Sequence, residues 1–232
     1  LSVSWLIHAQ FEWNVPSYTV TLHANDGTTA VSKAAEAVKD IPYAAPACPF
    51  APRGKVFGGW SLTPNGTSVK FPTVFSGNTD LYAIWADVFH NVTLNAGTGT
   101  GTAVTSREKA AVDYILPTFE STGFKAPTGM KFAGWKVSGK TGLSAPGAKL
   151  ALTGDVTLTA EYTAADVTVR FDANGGTGSM NPLSVKALSS TTLPACGFTA
   201  PQYKKFAGWS LSKTGAVIGS AYTFTGDTTL YA

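Results

Sequence analysis

A short glycine-tryptophan motif recurs along the chain, and this repetition constrains the fold more than any other feature. The motif reads VFGGWSL, KFAGWKV and KFAGWSL at residues 56–62, 131–137 and 205–211. Its tryptophans follow one another at intervals of 75 and 74 residues. Three active sites at such even spacing are not expected, whereas three copies of one small folding unit are.

Further markers keep the same order and spacing in each copy. A phenylalanine followed by a proline lies before each motif, and a glycine followed by Asn or Asp lies after it. We therefore predict three repeats, at residues 18–86, 87–163 and 164–232. The predicted structural anchors are Gly59, Trp60, Gly134, Trp135, Gly208, Trp209, Phe50, Phe124 and Phe198. Each tryptophan is expected inside a small core, and its preceding glycine at a tight turn or a close backbone approach.

The two ends are predicted to belong to a longer array. Residues 1–17 are interpreted as the closing strand of a preceding repeat plus a linker. Two registers fit that strand. LSVSW at residues 1–5 has the Leu-x-x-x-Trp form of the closing segment LYAIW at residues 81–85, and AQFEW at residues 9–13 lies at the expected distance of nine residues before Leu22. The last repeat is predicted to be truncated at its final strand, since the chain stops at TLYA. Connections between repeats are short, which favours a semi-rigid string of modules over free beads.

Alternating apolar and polar residues, as in VTVRF at residues 167–171, predict opening strands. The stretch SREKAAVDYI at residues 106–115 has the composition of a helix. However, residues 109–117 align without gaps on residues 186–194, KALSSTTLP, which are poor helix formers. The later half is therefore predicted to be extended, while a short helix before Lys109 or over residues 32–38 stays open.

Composition argues against several classes of partner. Only 13% of the residues are charged and the net charge is +3, so we expect no nucleic-acid binding. No apolar run approaches the roughly 20 residues that span a bilayer, so we expect no membrane insertion within this segment. Cys48 and Cys196 occupy equivalent places and are expected to be buried free thiols. No spacing singles out a lysine–asparagine pair for an isopeptide crosslink.

Motifs that could carry chemistry have simpler structural explanations. Residues 134–141 match the phosphate-binding pattern GxxxxGK[ST], but Pro and Gly follow where that loop needs a helix, so a turn is predicted. GTGTGT at residues 97–102 is predicted to be a hairpin loop. His8, His23 and His90 lack metal-ligand spacing. We predict no catalytic, cofactor-binding or metal-binding residue.

One acidic or amide residue recurs directly after a glycine. Its three instances are Asn78, Asp155 and Asp227. No calcium-binding loop of the form DxDxDG surrounds them. We predict that each side chain hydrogen-bonds the backbone of its own turn.

The third repeat carries the residues that resemble a known family. VTVRFDANGGTGSM, LPACGFTAPQYKKFAGWSLSKTG and YTFTGDTTLYA resemble the Listeria–Bacteroides repeat, the B-repeat type of internalin B. The resemblance implies an α+β, strand-dominated fold of tandem small β-grasp-like (ubiquitin-like) modules in an elongated string. It also implies an extracellular location on the bacterial cell surface, in stalks or adhesive segments, with no known chemistry in the repeat.

Three non-enzymatic functions remain open at this stage. The first is a stalk or spacer in a cell-surface or secreted bacterial protein. The second is recognition of a host protein or glycan, with Tyr18, Tyr43, Tyr114 and Tyr203 as candidate contacts. The third is assembly with copies of itself, in which the N-terminal strand completes a neighbour's last repeat. Enzyme activity is not expected.

Overall fold

The computed structural model describes residues 14–232. They form two compact units, residues 14–89 with 109–112, and residues 90–108 with 113–232. Most of the closing strand expected in residues 1–17 lies outside the described residues, as does His8. The division into repeats at residues 18–86, 87–163 and 164–232 stays a prediction.

The first unit is built around one four-stranded mixed sheet. Its strands are β1 (Ser17–Tyr18), β2 (Val20–His23), β3 (Val31–Lys33), β4 (Ala37–Val38), β5 (Lys55–Ser61) and β6 (Thr79–Asp87). The sheet order is β3-β2-β6-β5, and β1 pairs separately with β4. The opening strand β2 runs parallel to the closing strand β6, while the outer strands are antiparallel to their neighbours.

The second unit contains two larger sheets and two two-stranded ones, β9 with β11 and β15 with β16. Its strands are β7 (Phe89–Asn95), β8 (Val104–Lys109), β9 (Tyr114–Ile115), β10 (Met130–Val137), β11 (Lys149–Leu150), β12 (Val156–Ala164), β13 (Asp166–Asp172), β14 (Leu183–Lys186), β15 (Ser190–Thr192), β16 (Ala221–Thr223) and β17 (Thr228–Tyr231). The middle sheet has the order β10-β12-β7-β8, and the third has the order β14-β13-β17. Both again pair the opening strand in parallel with the closing strand.

Each of the three larger sheets covers its own hydrophobic core, and each core contains one tryptophan of the repeated motif. The innermost side chains come from the parallel pair, because alternate residues of both strands point to the same face. Val92 and Leu158 are fully buried in the middle core, as are Val169 and Leu230 in the third. The three cores are thus built from the same strand positions.

The third sheet is shorter on one side. Its closing strand β17 ends at Tyr231, and residues 205–208 are not in a strand. In the other sheets the outer strands β5 and β10 pair along the closing strands β6 and β12. In the third sheet the corresponding pairing consists of one bridge, between Ser210 and Tyr231.

The strand-dominated fold expected from the sequence is confirmed, but its helical component is not present. Among residues 14–232 the only helix is a single 3-10 turn, Glu120–Thr122. The helix left open before Lys109 is wrong because those residues form β8, next to β7 in the middle sheet. The helix left open over residues 32–38 is wrong because β3 and β4 lie there. Pairing with neighbouring strands outweighs the modest helix propensity of Ala, Lys and Glu.

The glycine before each core tryptophan adopts a backbone conformation that other residues rarely adopt. The φ angle is +152° at Gly134 and +130° at Gly59. Both glycines sit at a break in register, where the strand bulges against its partner. A Cβ atom at Gly134 would lie 3.1 Å from the Cβ of Leu143 and 3.2 Å from the carbonyl oxygen of Ser144. The motif therefore needs glycine for both conformation and space.

We predict that Gly134→Ala destabilises the middle core by about 1–3 kcal/mol, because alanine is strained at this φ and crowds Leu143. Amide hydrogen exchange in peptides covering β10 and β12 measures the local effect. Gly154→Ala is the matched control, since no heavy atom lies within 4 Å of its added Cβ. Equal protection in both variants would contradict the role assigned to the bulge.

Candidate functional site

The repeated tryptophans are interior residues with a fixed hydrogen bond. Trp60, Trp135 and Trp209 are 1%, 0% and 3% exposed. Each indole Nε1–H donates to the carbonyl oxygen of a proline, at 2.8–2.9 Å; the acceptors are Pro46, Pro117 and Pro194. A buried indole N–H needs such an acceptor, because leaving it unpaired costs about 1–3 kcal/mol. Each bond ties the motif, which forms the outer strand β5 or β10 in the first two cores, to a segment 14–18 residues earlier in the chain.

A second aromatic residue, three positions before each tryptophan, packs edge-on against the indole. Phe57, Phe132 and Phe206 lie 5.0–5.1 Å from their tryptophans, measured between ring centroids. The phenylalanines expected as anchors also pack on the cores: Phe124 is buried, and Phe50 and Phe198 are half-buried. The proline acceptors were not singled out from the sequence, although the Leu-Pro pair shared by two repeats was a usable signal.

The recurrent Asn or Asp after glycine does not bond its own turn, so that prediction is wrong. Its side-chain oxygen instead accepts a hydrogen bond of 2.8–2.9 Å from the backbone N–H of an opening strand. The pairs are Asn78 with Thr19, Asp155 with Asn91, and Asp227 with Thr168. The turn itself is closed by a threonine hydroxyl in two cases, Thr79 to Gly77 and Thr228 to Gly226. The recurrent side chain thus connects the first and last strands of each sheet.

A cluster of two lysines around one aspartate lies where β6 leads into β7; we call it the first junction. The Nζ atoms of Lys55 and Lys109 lie 2.5 and 2.8 Å from the carboxylate of Asp87. Next to it, the N–H of Val88 donates to the carbonyl of Gly54. Because Gly54 lies against the backbone of residues 110–111, a side chain there would not fit. All these residues belong to the first unit.

The same cluster recurs where β12 leads into β13, and we call it the second junction. Lys131 and Lys186 lie 2.8 and 2.5 Å from the carboxylate of Asp166. The N–H of Ala165 donates to Gly129, as Val88 does to Gly54. However, Asp87 directly precedes Val88, the single residue between β6 and β7, whereas Asp166 directly follows Ala165, the single residue between β12 and β13. The two junctions therefore place the same charges together from different positions in the strand.

The paired lysines hold both aspartates in the ionised form. Hydrogen bonds from Lys109 and Lys55 lower the pKa of Asp87 from 3.8 to about 2. Hydrogen bonds from Lys131 and Lys186 lower the pKa of Asp166 from 3.8 to about 2. Each cluster retains one positive charge in excess at neutral pH.

The tyrosines proposed as ligand contacts fall into two groups. Tyr18 and Tyr43 are half-buried against the first core, and Tyr114 is half-buried against the middle core. Burial raises the pKa of Tyr43 and of Tyr114. Tyr203 differs, because 96% of its surface is exposed. Whether any of them binds a ligand stays a prediction.

The remaining chemical motifs have structural roles in the described chain. Residues 134–137 of the phosphate-loop match lie in β10, and a turn follows them. His23 and His90 approach Asp80 and Asp155 at 2.8 and 3.8 Å. No group of three metal-ligating side chains comes together among residues 14–232. Cys48 and Cys196 are unbonded to each other and half-buried. No helix in the described range could cross a membrane.

The family model of the Listeria-Bacteroides repeat domain matches residues 18–84 and 168–232. The chain belongs to the Listeria-Bacteroides repeat family. This family is structural rather than catalytic and is typical of bacterial surface proteins. No curated protein and no solved structure gives a significant match.

The two segments that match the Listeria-Bacteroides repeat share details that the middle segment lacks. Asn25 and Asn174 both have a positive φ, and the amide of each donates to two backbone carbonyls, at 2.7–3.0 Å. In the middle segment Gly97 replaces this asparagine, and its turn lies directly against the carbonyl of Ala160. Ser61 and Ser210 likewise bond the carbonyl two residues on, where the middle segment has Lys136. The middle segment retains the core while losing these turns.

We predict that Trp135→Phe destabilises the middle core by about 2–4 kcal/mol. The change removes the donor to Pro117 and part of a fully buried ring. Urea unfolding with hydrogen exchange over β10 measures the loss. Tyr203→Phe, at an exposed aromatic position, is expected to change stability by less than about 0.5 kcal/mol. Equal effects of the two variants would contradict an interior role for Trp135.

The junction aspartates predict a defined pH dependence. A carboxylate whose folded pKa is lowered stabilises the fold above its unfolded pKa of 3.8, and this contribution is lost as the pH falls towards about 2. The destabilisation caused by Asp166→Asn at pH 7 should therefore shrink between pH 4 and pH 2. In a carbon-13 NMR titration, Lys131→Met with Lys186→Met should raise the pKa of Asp166 towards 3.8.

Lys136→Met is the control for that titration, because Lys136 lies on the same strand β10 but outside the junction. It should leave the Asp166 titration unchanged. An Asp166 that titrates near 3.8 in the unmodified chain would show that the cluster does not form in solution.

Proposed function

We propose that the chain is a non-enzymatic spacer segment of a bacterial cell-surface or secreted protein. In this proposal it consists of three copies of one module, with the middle segment as the copy that has diverged. The observation that carries the proposal is the recurrence of one core and one junction. Three buried tryptophans bond equivalent proline carbonyls, and two Lys-Asp-Lys clusters stand where one module's last strand becomes the next module's first.

The continuity of the strands supports a spacer in particular. A single residue separates β6 from β7, and another separates β12 from β13. A connection of one residue leaves little freedom between consecutive elements, unlike the flexible linkers of independent domains. Backbone hydrogen bonds and the lysine–aspartate pairs restrict these connections further. A chain built in this way can hold a distal domain away from a surface.

The strand order also favours the β-grasp relationship that the sequence resemblance implied. In the first and middle sheets the opening and closing strands are central and parallel, with antiparallel strands outside. We propose that the module is a β-grasp variant without the helix of that fold, at least over residues 14–232.

An adhesive role is the second candidate, and the exposure of Tyr203 favours it. This side chain is 96% exposed and its backbone has a φ of +66°. A large exposed aromatic ring is typical of a contact residue in a binding surface. The partner would be a host protein or a glycan at the bacterial surface.

Small-angle scattering with analytical ultracentrifugation tests the spacer. A compact globule of this length would have a radius of gyration of about 17 Å. A spacer predicts a clearly larger value, with a monomeric mass that does not change with concentration. A radius near 17 Å would contradict the proposal. Concentration-dependent growth that stops when residues 1–17 are deleted would favour assembly by strand exchange instead.

A further inference from the structure

The first unit contains a polar cleft beside a tryptophan outside the repeated motif. Its volume is about 590 Å³, and Trp85, Asp26, Asn65, Arg53 and Lys55 contribute to its lining. This volume is within the usual range for small-molecule sites. The cleft lies within residues 25–85, away from both ends of the chain.

The frame of the cleft is fixed by hydrogen bonds. The amide of Asn25 donates to the carbonyls of Pro64 and Ala83, at 2.7 and 2.9 Å, and so ties the loop on one side to the closing strand. Pro52 and Pro64 line the cleft and further restrict the backbone around it. A preformed cleft loses little conformational entropy when a ligand binds.

Trp85 is half-buried at the edge of the cleft, where a hydrogen bond and a ring contact fix its side chain. Its Nε1–H donates to the carbonyl of Ala24 at 2.6 Å, and its ring packs edge-on against Phe57 at 5.8 Å. In the middle segment Tyr162 takes the corresponding place, and its hydroxyl donates to Ala96 at 2.8 Å. An aromatic residue at this position is therefore structural in both segments. The turn at Gly97 lies against the closing strand of the middle segment, so the space in front of Tyr162 is narrower than the cleft in front of Trp85.

Polar groups around the cleft have hydrogen-bonding capacity left for a ligand. Among residues 14–232, hydrogen bonds to Asp26 reach only its Oδ1 atom, from the N–H and the hydroxyl of Thr28, which leaves Oδ2 as an acceptor. These bonds lower the pKa of Asp26, so it is ionised at neutral pH. The side chain of Asn65 is exposed and bonds no residue in the described range, so it offers both a donor and an acceptor.

The cleft is lined by side chains of both charge signs. Asp26 and Arg53 have opposite signs, and the ammonium group of Lys55 lies 2.5 Å from the carboxylate of Asp87. A strongly anionic or cationic ligand would therefore gain little here. A neutral ligand rich in hydroxyl groups fits a mixture of donors and acceptors, and the C–H face of a sugar ring packs well on an indole.

We infer that this cleft binds a neutral carbohydrate, with one sugar ring on the indole of Trp85 and ring hydroxyls bonded to Asp26 and Asn65. The site would give the first unit a recognition role that does not depend on the spacer function. A cleft at the equivalent place in the third segment is about 270 Å³ in volume, and Lys204, Lys205 and Lys213 contribute to its lining. Three lysines make that cleft strongly basic, so we assign neutral sugar binding to the first cleft.

The test uses the whole 232-residue chain on a printed array of neutral and acidic oligosaccharides, followed by titration of the strongest neutral binder with tryptophan fluorescence. We expect neutral oligosaccharides to bind. Asn65→Ala should weaken the binding about fivefold or more, the scale of one lost hydrogen bond. Asn181→Ala, the same change at an exposed asparagine far along the chain, should leave it unchanged.

Trp85→Tyr separates recognition from folding. Tyrosine can keep the closing hydrogen bond, as Tyr162 does in the middle segment, while offering a smaller ring to the sugar. We expect wild-type circular dichroism and several-fold weaker binding. No binding of neutral sugars, binding of acidic sugars alone, or binding that Asn65→Ala and Trp85→Tyr leave unchanged would each overturn the inference. The scattering test of the spacer is unaffected by any of these results.

Discussion

The hydrogen bond from a buried indole to a proline carbonyl is the interaction on which each module depends. It satisfies the one polar atom of the largest core side chain and ties the outer strand to the segment before it. It requires the preceding glycine, since the bulge at Gly134 turns Trp135 inward at a register that a regular strand would not give. The core, the bulge and the proline-containing loop therefore depend on one another. This dependence explains why the sequence repeats the glycine and the tryptophan together.

The junctions extend this local device into a continuous chain. Strand β6 leads into β7, and β12 leads into β13, with one residue between them. That residue is held by a backbone hydrogen bond in both places. The lysine–aspartate clusters add charge pairing at the same places. Asp87 lies before the residue that links two strands, and Asp166 lies after it. A negative charge between two lysines is therefore common to both junctions, while its exact position in the sequence is not.

The repeats in the sequence allowed the core residues to be predicted. The intervals between Trp60, Trp135 and Trp209 identify the core residues because an interior position is needed in every copy. Other features depend on partners that are distant in sequence. Residues 106–109 have helical composition but form a strand, since pairing with β7 is not a local property. Similarly, the oxygen of Asp155 meets an N–H 64 residues away, so local turn statistics gave the wrong partner. The cleft beside Trp85 requires three loops to meet and leaves no pattern in the sequence.

The central claim is that the repeated tryptophans are interior and hydrogen-bonded in three separate cores. Proton exchange at the indole nitrogens, resolved by nitrogen-15 NMR and assigned with single Trp→Phe variants, tests it most directly. We expect the indole protons of Trp60, Trp135 and Trp209 to exchange at least about a hundredfold more slowly than those of an unstructured peptide, since each requires local opening of its core. Exchange at the peptide rate for these three protons would contradict it.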